Sequence, residues 1–573
     1  MNMISYQVYF RQPELHYVEI EMKVSVSNTE LVQLYLPVWT PGSYMVREYS
    51  KNLDQFQVFN TSKENIAFQK ISKNLWSFQP KDVGEYNIHY RIYANEWSVR
   101  TNHVDIDHAM LNGAPTFLAV KGAENTAHQI IFHPHQNWKV ISSPLPEDGN
   151  EWIRIAENYD LVVDSPTEIG NHEVMTFDVE NVLHEVALVG SSNLDRMSFL
   201  KDLKAIVREE IQLFGTTHPC KRYLFIIHHT ENIYGGLEHL HSSLNMIPRW
   251  NYEPRDKYLQ SISLLSHEYF HLWNVKRIRP IELGPFDYQQ ENYTRQLWAI
   301  EGVTSFYDDY FLYLSRVSSI AEYLKTVAEN INKVANTPGD KFQTLAESSF
   351  DAWVKYYRQN ENSHNNQVSY YVKGATVVTA LNLLIINSTQ GTKSLDDVMR
   401  ALYQNYLQNP EKGYSEEELL TVCESVAGIS LKEFFDLHIF GNEPIDYSYY
   451  LSLAGLELFE TNEERYHFGW TLANKDGKFI ISKVDINSNV ALSGLNAEDE
   501  VLGFNGYRMH AQWERSLFDK SVGDEIELII SRNGIIKNFT LELESSRKHK
   551  YTIHLDKKPS PQQALVRKTW LRK

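Results

Sequence analysis

Alternating apolar and polar positions run through roughly the first 180 residues of the chain. Four segments show the alternation clearly: 16–26, 31–39, 87–94 and 152–156. Turn-forming residues separate such segments, for example at 40–43 and 146–150. This pattern is typical of short strands in an antiparallel sandwich, because one face of each strand is buried while the other meets water. We therefore predict an N-terminal antiparallel β-sandwich over residues 1–182.

After about residue 185 the apolar residues follow the helical period instead. Residues 194–214 have apolar side chains three and four positions apart, which predicts an amphipathic helix. The run 222–229 is mostly apolar and predicts a buried strand. Further helices are predicted at 263–273, 298–314, 371–386, 394–407 and 415–428. The pattern predicts a mainly helical domain over residues 183–450.

Short strand patterns return from about residue 451 and predict a small β domain over 451–546. The remaining residues, 547–573, form a basic, proline-containing tail, in which Trp570 and Leu571 suggest that part of it docks back. A chain of 573 residues is too long for one hydrophobic core. The predicted fold class is therefore multi-domain α+β.

Composition and charge narrow the classes of function. The formal net charge is −18 and the body of the chain has no basic block, so a nucleic-acid surface is not expected. The chain has two cysteines, Cys220 and Cys423, which excludes a disulfide framework. We see no signal-peptide pattern, and the apolar runs are too short to span a bilayer. We expect no membrane contact and a cytoplasmic location.

The segment 267–271 reads His-Glu-Tyr-Phe-His within a predicted helix. Residues four apart lie on one face of a helix, so His267 and His271 can both present imidazole nitrogens to one Zn²⁺. Glu268 lies about 100° around the helix, where its carboxylate can take a proton from a metal-activated water without binding the metal. This spacing predicts a hydrolytic zinc site with Glu268 as general base. Two satisfied core histidines on an amphipathic helix are the alternative.

A catalytic zinc site needs a third protein ligand and keeps one position for water. No histidine follows His271 at the spacing of a third histidine ligand, so a carboxylate from another element is expected. Glu301 is the candidate, because it follows the apolar run 297–300, and burying an unpaired carboxylate is costly. Asp308 lies two turns further along that helix face. It is either an acceptor for a ligand histidine or a solvated acid.

Four segments together resemble, in this order, the glycyl aminopeptidase family: 234–239, 267–280, 297–302 and 370–374. The likeness extends to 39–50 and 100–113 and to the closing Trp570-Leu571, so it covers nearly the whole chain. The resemblance implies a zinc metallopeptidase related to aminopeptidase N, of the gluzincin type. It also implies an N-terminal β domain, a thermolysin-like catalytic domain over 183–450 and a C-terminal PDZ domain.

The resemblance also assigns residues that bind substrate. Glu238 matches the exopeptidase motif of aminopeptidase N and would pair with the α-ammonium of a peptide. Tyr371 matches the tyrosine that would donate a hydrogen bond to the oxyanion. Gly235 and Gly236 lack a Cβ and so allow a substrate backbone to approach an edge strand. Alternatively, the glycines form a turn with a surface glutamate, and Tyr371 packs beside Tyr370.

The segment 467–470, His-Phe-Gly-Trp, stands where PDZ domains carry the loop that binds a peptide carboxylate. The segment departs from the usual pattern of that loop and retains only the middle glycine, Gly469. The domain therefore either binds a peptide C-terminus or packs against the catalytic domain.

We predict a zinc aminopeptidase with one Zn²⁺ per chain, acting on peptides with a free N-terminus. The family resemblance suggests small first residues, glycine or alanine. A PDZ-guided zinc endopeptidase and an inactive peptide-binding scaffold are the alternatives. The oligomeric state is left open.

Overall fold

A computed structural model describes residues 3–215, 218–461, 466–545 and 548–572. The chain divides into two compact units, each built from several stretches of sequence. Unit 1 comprises Met1–Tyr293, Tyr307–Ser318 and Arg400–Ser415, and unit 2 comprises Thr294–Phe306, Ser319–Met399 and Glu416–Lys573. The fold class is mixed α+β, as predicted. The division into four domains stays a prediction, and its boundary between 546 and 547 lies outside the described residues.

The N-terminal part of unit 1 is rich in β structure. Its largest sheet has seven strands, in the spatial order Ile153–Ala156, His128–His133, Ile4–Tyr9, Tyr17–Val26, Gly84–Tyr93, Leu53–Asn60 and Asn65–Ile66. One pairing departs from the predicted antiparallel arrangement, because Ile4–Tyr9 pairs in parallel with His128–His133. Strand direction depends on which distant segment supplies the partner, and the alternation of apolar residues does not encode that choice.

Two four-stranded sheets complete this β-rich part. One has the order Val140–Ser142, Thr167–Gly170, Ala109–Leu111 and His103–Val104. The other has the order Ala119–Val120, Val32–Tyr35, Leu75–Phe78 and Phe68–Lys70. Apolar side chains from these sheets share one core, which includes Tyr6, Ile88 and Trp138. The alternating burial of Tyr17–Val26 is the pattern expected when one face of a strand lies on that core.

Unit 1 continues with a mixed five-stranded sheet, whose order is Glu173–Val179, Val182–Val189, Arg222–Thr230, Ser242–Pro248 and Gly235–Glu238. The central strand Arg222–Thr230 is buried along almost its whole length, as its apolar run predicts. Gly235–Glu238 is the edge strand and runs antiparallel to Ser242–Pro248. The α-helices that lie wholly in unit 1 are Tyr159–Val163, Arg196–Phe214 and Arg255–Phe270.

Unit 2 contains most of the helices. Its α-helices before the C-terminal strands are Ile320–Ala335, Leu345–Phe350, Ser363–Asn366, Val372–Ser388, Glu416–Ala427, Lys432–His438 and Tyr447–Ser452. Two helices, Val303–Leu314 and Leu395–Gln408, contain residues of both units. A single π-helical turn, Trp298–Gly302, precedes Val303–Leu314. Short 3₁₀ turns occur in the chain at Pro13–Leu15, Tyr49–Asn52, Ile281–Leu283, Pro338–Lys341, Asp351–Trp353, Tyr356–Arg358 and Trp513–Leu517.

The C-terminal part of unit 2 is a small β region with its own core, which includes Ile481, Phe504 and Leu528. Its main sheet contains Trp470–Lys475, Lys478–Val484, Glu500–Phe504, Glu525–Arg532, Ile535–Glu542 and, paired to the third of these, Tyr507–Arg508. Two further strand pairs are Leu456–Glu460 with Tyr551–Leu555 and Tyr466–His467 with Glu544–Ser545. A helical turn, Asn489–Ser493, accompanies the sheet.

The chain ends in the helix Pro561–Leu571, whose Trp570 and Leu571 are buried. In the part of the chain that the structure describes, no helix combines the length and the apolar character needed to cross a membrane.

Candidate active site

The helix Arg255–Phe270 carries the His-Glu-x-x-His segment at its C-terminal end. The helix is held in place because Leu265, Tyr269 and Phe270 are fully buried. His267 lies in its last turn and His271 is the C-cap residue. The two imidazole rings have centroids 4.7 Å apart, as expected for residues four apart on one helix face.

Both histidines are oriented through Nδ1. His267 Nδ1 lies 2.9 Å from Oδ2 of Asp308. His271 Nδ1 lies 2.6 Å from the backbone carbonyl oxygen of Asn274. A carbonyl oxygen can only accept, so the Nδ1–H of His271 is the donor, and that tautomer carries the lone pair on Nε2. Acceptors of this kind fix the ring and the tautomer of metal-binding histidines.

Asp308 and its surroundings form a buried polar support for this helix. Burial raises the pKa of Asp308 above its ordinary value, and the contact with His267 opposes this only in part. The hydroxyl oxygen of Ser266 lies 2.9 Å from Oε1 of Glu210 and 3.1 Å from the backbone oxygen of Asp308, so both acceptors share its single hydrogen. Burial also raises the pKa of Glu210 well above its ordinary value.

The edge strand Gly235–Glu238 brings a second carboxylate beside the helix. Ligand atoms of Glu238, Glu268 and His271 lie within 4.8 Å of one another, and all three residues are buried. A Cβ on Gly236 would lie 2.2 Å from Oε1 of Glu268. Glycine is therefore required at position 236 because the carboxylate of Glu268 occupies the space of a side chain. Gly235 has φ +147° and a Cβ there would meet no atom within 4 Å.

A loop of the N-terminal β-rich part reaches the same carboxylate cluster. Gly42 has φ +83°, and a Cβ there would lie 2.5 Å from Oε2 of Glu238. Among the described residues, the structure gives the Glu238 carboxylate no cationic side chain as a partner, although only 4% of the residue is exposed. A buried carboxylate of this kind is a binding place for an incoming cation.

Asp164 fixes the turn that follows Glu238. Its carboxylate lies 2.9 Å from Nδ1 of His239 and accepts from the backbone N–H of Leu240 at 2.8 Å. Lys276 Nζ, in the segment that follows His271, donates to the same carboxylate at 2.9 Å. Burial by itself would raise the pKa of Asp164, but Lys276 and His239 outweigh it and lower that pKa to about 2. One ionised carboxylate thus ties the Glu238 turn to the segment after His271.

In unit 2, Glu301 lies in the π-helical turn Trp298–Gly302 and is 2% exposed. The next residue, Gly302, meets Gly374 backbone to backbone, since a Cβ on Gly302 would lie 2.6 Å from Cα of Gly374. Two glycines at one crossing let the helix Val372–Ser388 approach the turn closely. π-Helical turns occur often at functional sites because they shift the side chains that follow.

Tyr371 is the N-cap residue of the helix Val372–Ser388. Burial, and secondly the charge of Glu301, raise the pKa of Tyr371 well above its ordinary value, so its phenol stays protonated. The ring stacks on Tyr370, with centroids 4.8 Å apart, and on Tyr356, at 5.5 Å. Lys373 forms a buried ion pair with Asp340, at 2.7 Å, which is a structural role.

Comparison with sequence families gives two matches. Residues 5–171 match the Peptidase M61 N-terminal domain, and residues 260–377 match the M61 glycyl aminopeptidase family. The chain belongs to the M61 glycyl aminopeptidase family. It is a metallo-aminopeptidase. A comparison with curated protein sequences finds no match.

One solved structure is similar to this chain over nearly its whole length. The crystal structure of an aminopeptidase N family protein from Idiomarina loihiensis is similar with a TM-score of 0.93 and 27% sequence identity. The match covers 99% of this chain and 100% of that chain.

Two Deinococcus radiodurans structures are more distant. A glutamate-to-alanine variant of an M1 zinc metallopeptidase has a TM-score of 0.45 and 12% identity, covering 76% of this chain and 93% of that one. The same variant bound to a Tyr-Ser-Ala substrate has a TM-score of 0.46 and 11% identity, covering 78% and 94%.

Within this M61 glycyl aminopeptidase, the predicted site residues fall into two sets. Unit 1 brings together His267, Glu268, His271, Asp308, Gly236 and Glu238. Unit 2 brings together Glu301 and Tyr371. Sequence reasoning missed Gly42, Asn274 and Asp164. Gly42 and Asn274 lie in the segments 39–50 and 267–280 that share the family resemblance, which was the available signal. Asp164 acts through contacts between distant segments and has no local pattern.

Proposed function

We propose that this chain is a zinc aminopeptidase that removes the first residue from peptides with a free N-terminus. The supporting observation is the buried Glu238 carboxylate next to Glu268 and His271, for which the described residues supply no cation. An α-ammonium group satisfies such a carboxylate, and only the end of a peptide chain carries that group.

The proposed zinc ligands are His267 and His271 of unit 1 and Glu301 of unit 2. The donor set suits zinc, since two imidazoles and one carboxylate leave a fourth position open. Two further observations support the assignment: Nδ1 of each histidine has an oxygen beside it, and Glu301 precedes on the chain the helix that carries Asp308. When bound, zinc supplies a Lewis acid that makes a water nucleophilic near neutral pH and polarises the scissile carbonyl.

The protein's own groups complete the proposed mechanism. Glu268 accepts the proton of the attacking water and passes it to the departing amine. Tyr371, whose phenol stays protonated, donates a hydrogen bond to the carbonyl oxygen as negative charge develops there. Glu238 holds the substrate ammonium, so the bond presented to Glu268 is the first peptide bond. We propose a small first residue, glycine or alanine, on the strength of the match to the glycyl aminopeptidase family.

A panel of aminoacyl chromogenic substrates tests this function, with and without a zinc chelator. We expect glycyl and alanyl substrates to be cleaved fastest and chelation to abolish activity reversibly. Glu268→Gln should lower kcat about a thousandfold while the zinc content stays unchanged. Full activity of that variant would contradict the mechanism.

A peptide in free and N-acetylated form separates an aminopeptidase from an endopeptidase. We expect only the free form to be cleaved, and Glu238→Ala to remove the difference by lowering cleavage of the free form alone. Equal cleavage of the two forms by the parent protein would favour the endopeptidase.

We also propose that residues 451–546 form a PDZ domain. Gly469, with φ +63°, lies in the connection between the strands Tyr466–His467 and Trp470–Lys475, where a PDZ domain binds a peptide carboxylate. A Cβ on Gly469 would lie 2.2 Å from Cβ of Ser488, so the loop is tightly packed. Titration with a labelled peptide bearing a free or an amidated C-terminus tests for binding.

A further inference from the structure

A second group of metal-binding side chains lies in unit 1, apart from the helix that carries His267. His108 directly precedes the strand Ala109–Leu111, and Glu168 lies on the neighbouring strand Thr167–Gly170. His228 comes from the central strand Arg222–Thr230 of the five-stranded sheet. Each of these residues offers a ligand atom, and the three atoms lie within 4.8 Å of one another.

The three side chains are buried, yet their polar atoms are only partly satisfied. Glu168 and His228 are 0% exposed and His108 is 8% exposed. His108 Nδ1 lies 2.8 Å from Oε1 of Glu168, which accounts for one carboxylate oxygen. The other oxygen, Oε2, and both ring nitrogens of His228 make no well-aligned hydrogen bond among the described residues. Buried polar atoms without partners are rare in folded proteins and call for a ligand.

The contact between His228 and Glu168 has the spacing of two ligands on one metal ion. Nε2 of His228 lies 3.1 Å from Oε2 of Glu168, but the two atoms are not aligned as donor and acceptor. Zinc binds nitrogen and oxygen at about 2.0–2.2 Å, so two of its tetrahedral ligands lie about 3.3 Å apart. The observed separation is close to that value.

An overlapping group, His103, Asp105 and His108, is the weaker candidate. The Asp105 carboxylate already accepts from the backbone N–H groups of Asp107, at 2.8 Å, and His108, at 3.1 Å. Its second oxygen lies 3.1 Å from Nε2 of His103. Asp105 therefore stabilises its own loop, whereas Glu168 keeps an oxygen for a ligand.

The site also has a route to solvent and a shield. A cavity of about 700 Å³ is lined by His108, His172 and His229, by the acidic residues Asp105, Asp107 and Glu231, and by Arg249, among others. Acidic side chains at such an opening attract cations. Trp97 lines the same cavity and shields the group on that side, with its ring centroid 5.6 Å from those of both His108 and His228.

We propose that His108, Glu168 and His228 bind a second divalent transition-metal ion, for which zinc is the best match to two imidazoles and one carboxylate. The ion would join the strand Thr167–Gly170 to the strand Arg222–Thr230, which leads into the edge strand of Glu238. Its role is structural, because His108, Glu168 and His228 are not part of the Glu238, Glu268 and His271 cluster.

Zinc counted per chain tests the proposal, after saturation with Zn²⁺ and removal of weakly bound ions on a desalting column. We expect two ions in the parent protein and one in Glu168→Gln, which keeps its peptidase activity on glycyl substrates. His128→Gln is the matched control and should keep two. His128 resembles His228 in being buried, with no well-aligned hydrogen bond to either ring nitrogen among the described residues. Unlike His228, it belongs to no candidate metal-binding group in the described part of the chain.

A double variant, His267→Ala with His271→Ala, counts the second site alone. One ion in this variant supports the proposal, and none would overturn it, even if Glu168→Gln fails to fold. If both the parent protein and the double variant bind one ion per chain, the second site is supported and the proposed function is contradicted. With Co²⁺ as probe, the visible absorption of the double variant should disappear when Glu168→Gln is added.

Discussion

Gly42 packs directly against the carboxylate of Glu238, although 196 positions separate them in the chain, the difference between 238 and 42. Oε2 of Glu238 lies 2.5 Å from where a Cβ on Gly42 would be. The loop of the N-terminal β-rich part thus forms a wall of the place where we expect the substrate ammonium. If Glu238 binds the substrate ammonium as proposed, this contact gives that part of the chain a function at the active site.

Gly42→Ala should displace Glu238 and weaken recognition of the free N-terminus. We expect kcat/KM on glycyl substrates to fall at least about tenfold, mainly through KM, since Glu238 binds ground state and transition state alike. Gly122→Ala is the matched control, because Gly122 has the same φ of +83° but a Cβ there meets no atom within 4 Å. Both variants cost about 1 kcal/mol of backbone strain. Equal kinetics in the two would show that the Glu238 contact is irrelevant.

Gly236→Ala should act on the proposed general base instead. The added Cβ would overlap Oε1 of Glu268, so the carboxylate must move away. We expect kcat to fall about a hundredfold or more, with zinc content unchanged. Gly235→Ala strains the backbone at φ +147° but meets no atom, so it separates strain from displacement. A normal kcat for Gly236→Ala would argue against Glu268 as the base.

The sequence predicted the parts of the site that depend on local periodicity. The spacing of His267 and His271 follows from one helix turn, and the position of Asp308 beside His267 agrees with the helical register proposed for it. The parallel pairing of Ile4–Tyr9 with His128–His133 was not predicted, and Asp164 was not found. These features depend on contacts between segments far apart in the chain, which a pattern of neighbouring residues does not record.

Asp164→Asn should destabilise the protein in a pH-dependent way. The pKa of Asp164 in the folded protein is about 2, below the ordinary value of about 3.9. Because the pKa is lower in the folded protein than in the unfolded chain, the ionised carboxylate stabilises the fold at any pH above about 3.9. This stability is lost as the pH falls towards 2. This contribution is about 2.5 kcal/mol at pH 5 and roughly half of that at pH 3.

Thermal unfolding of the parent protein and Asp164→Asn at pH 7, 5 and 3 measures this effect. We expect the gap between the two melting temperatures to be largest at pH 7 and to narrow at pH 3. Glu124→Gln is the control, because it removes a carboxylate that lacks the contacts of Asp164. The difference between its melting temperature and that of the parent protein should not change with pH. A gap that stays constant with pH would mean that the charge of Asp164 contributes nothing to stability.

Tyr371→Phe removes only the phenolic hydroxyl and tests transition-state stabilisation. We expect kcat to fall about a hundredfold while KM changes little, because the hydrogen bond strengthens only as charge develops on the carbonyl oxygen. Tyr370→Phe, in the adjacent stacked ring, should leave kcat within about twofold. Since the pKa of Tyr371 is raised well above its ordinary value, activity should not decline between pH 8 and pH 10 through loss of its proton. A fall in kcat for Tyr370→Phe as large as that for Tyr371→Phe would show that the stacked rings matter, and not the hydroxyl of Tyr371.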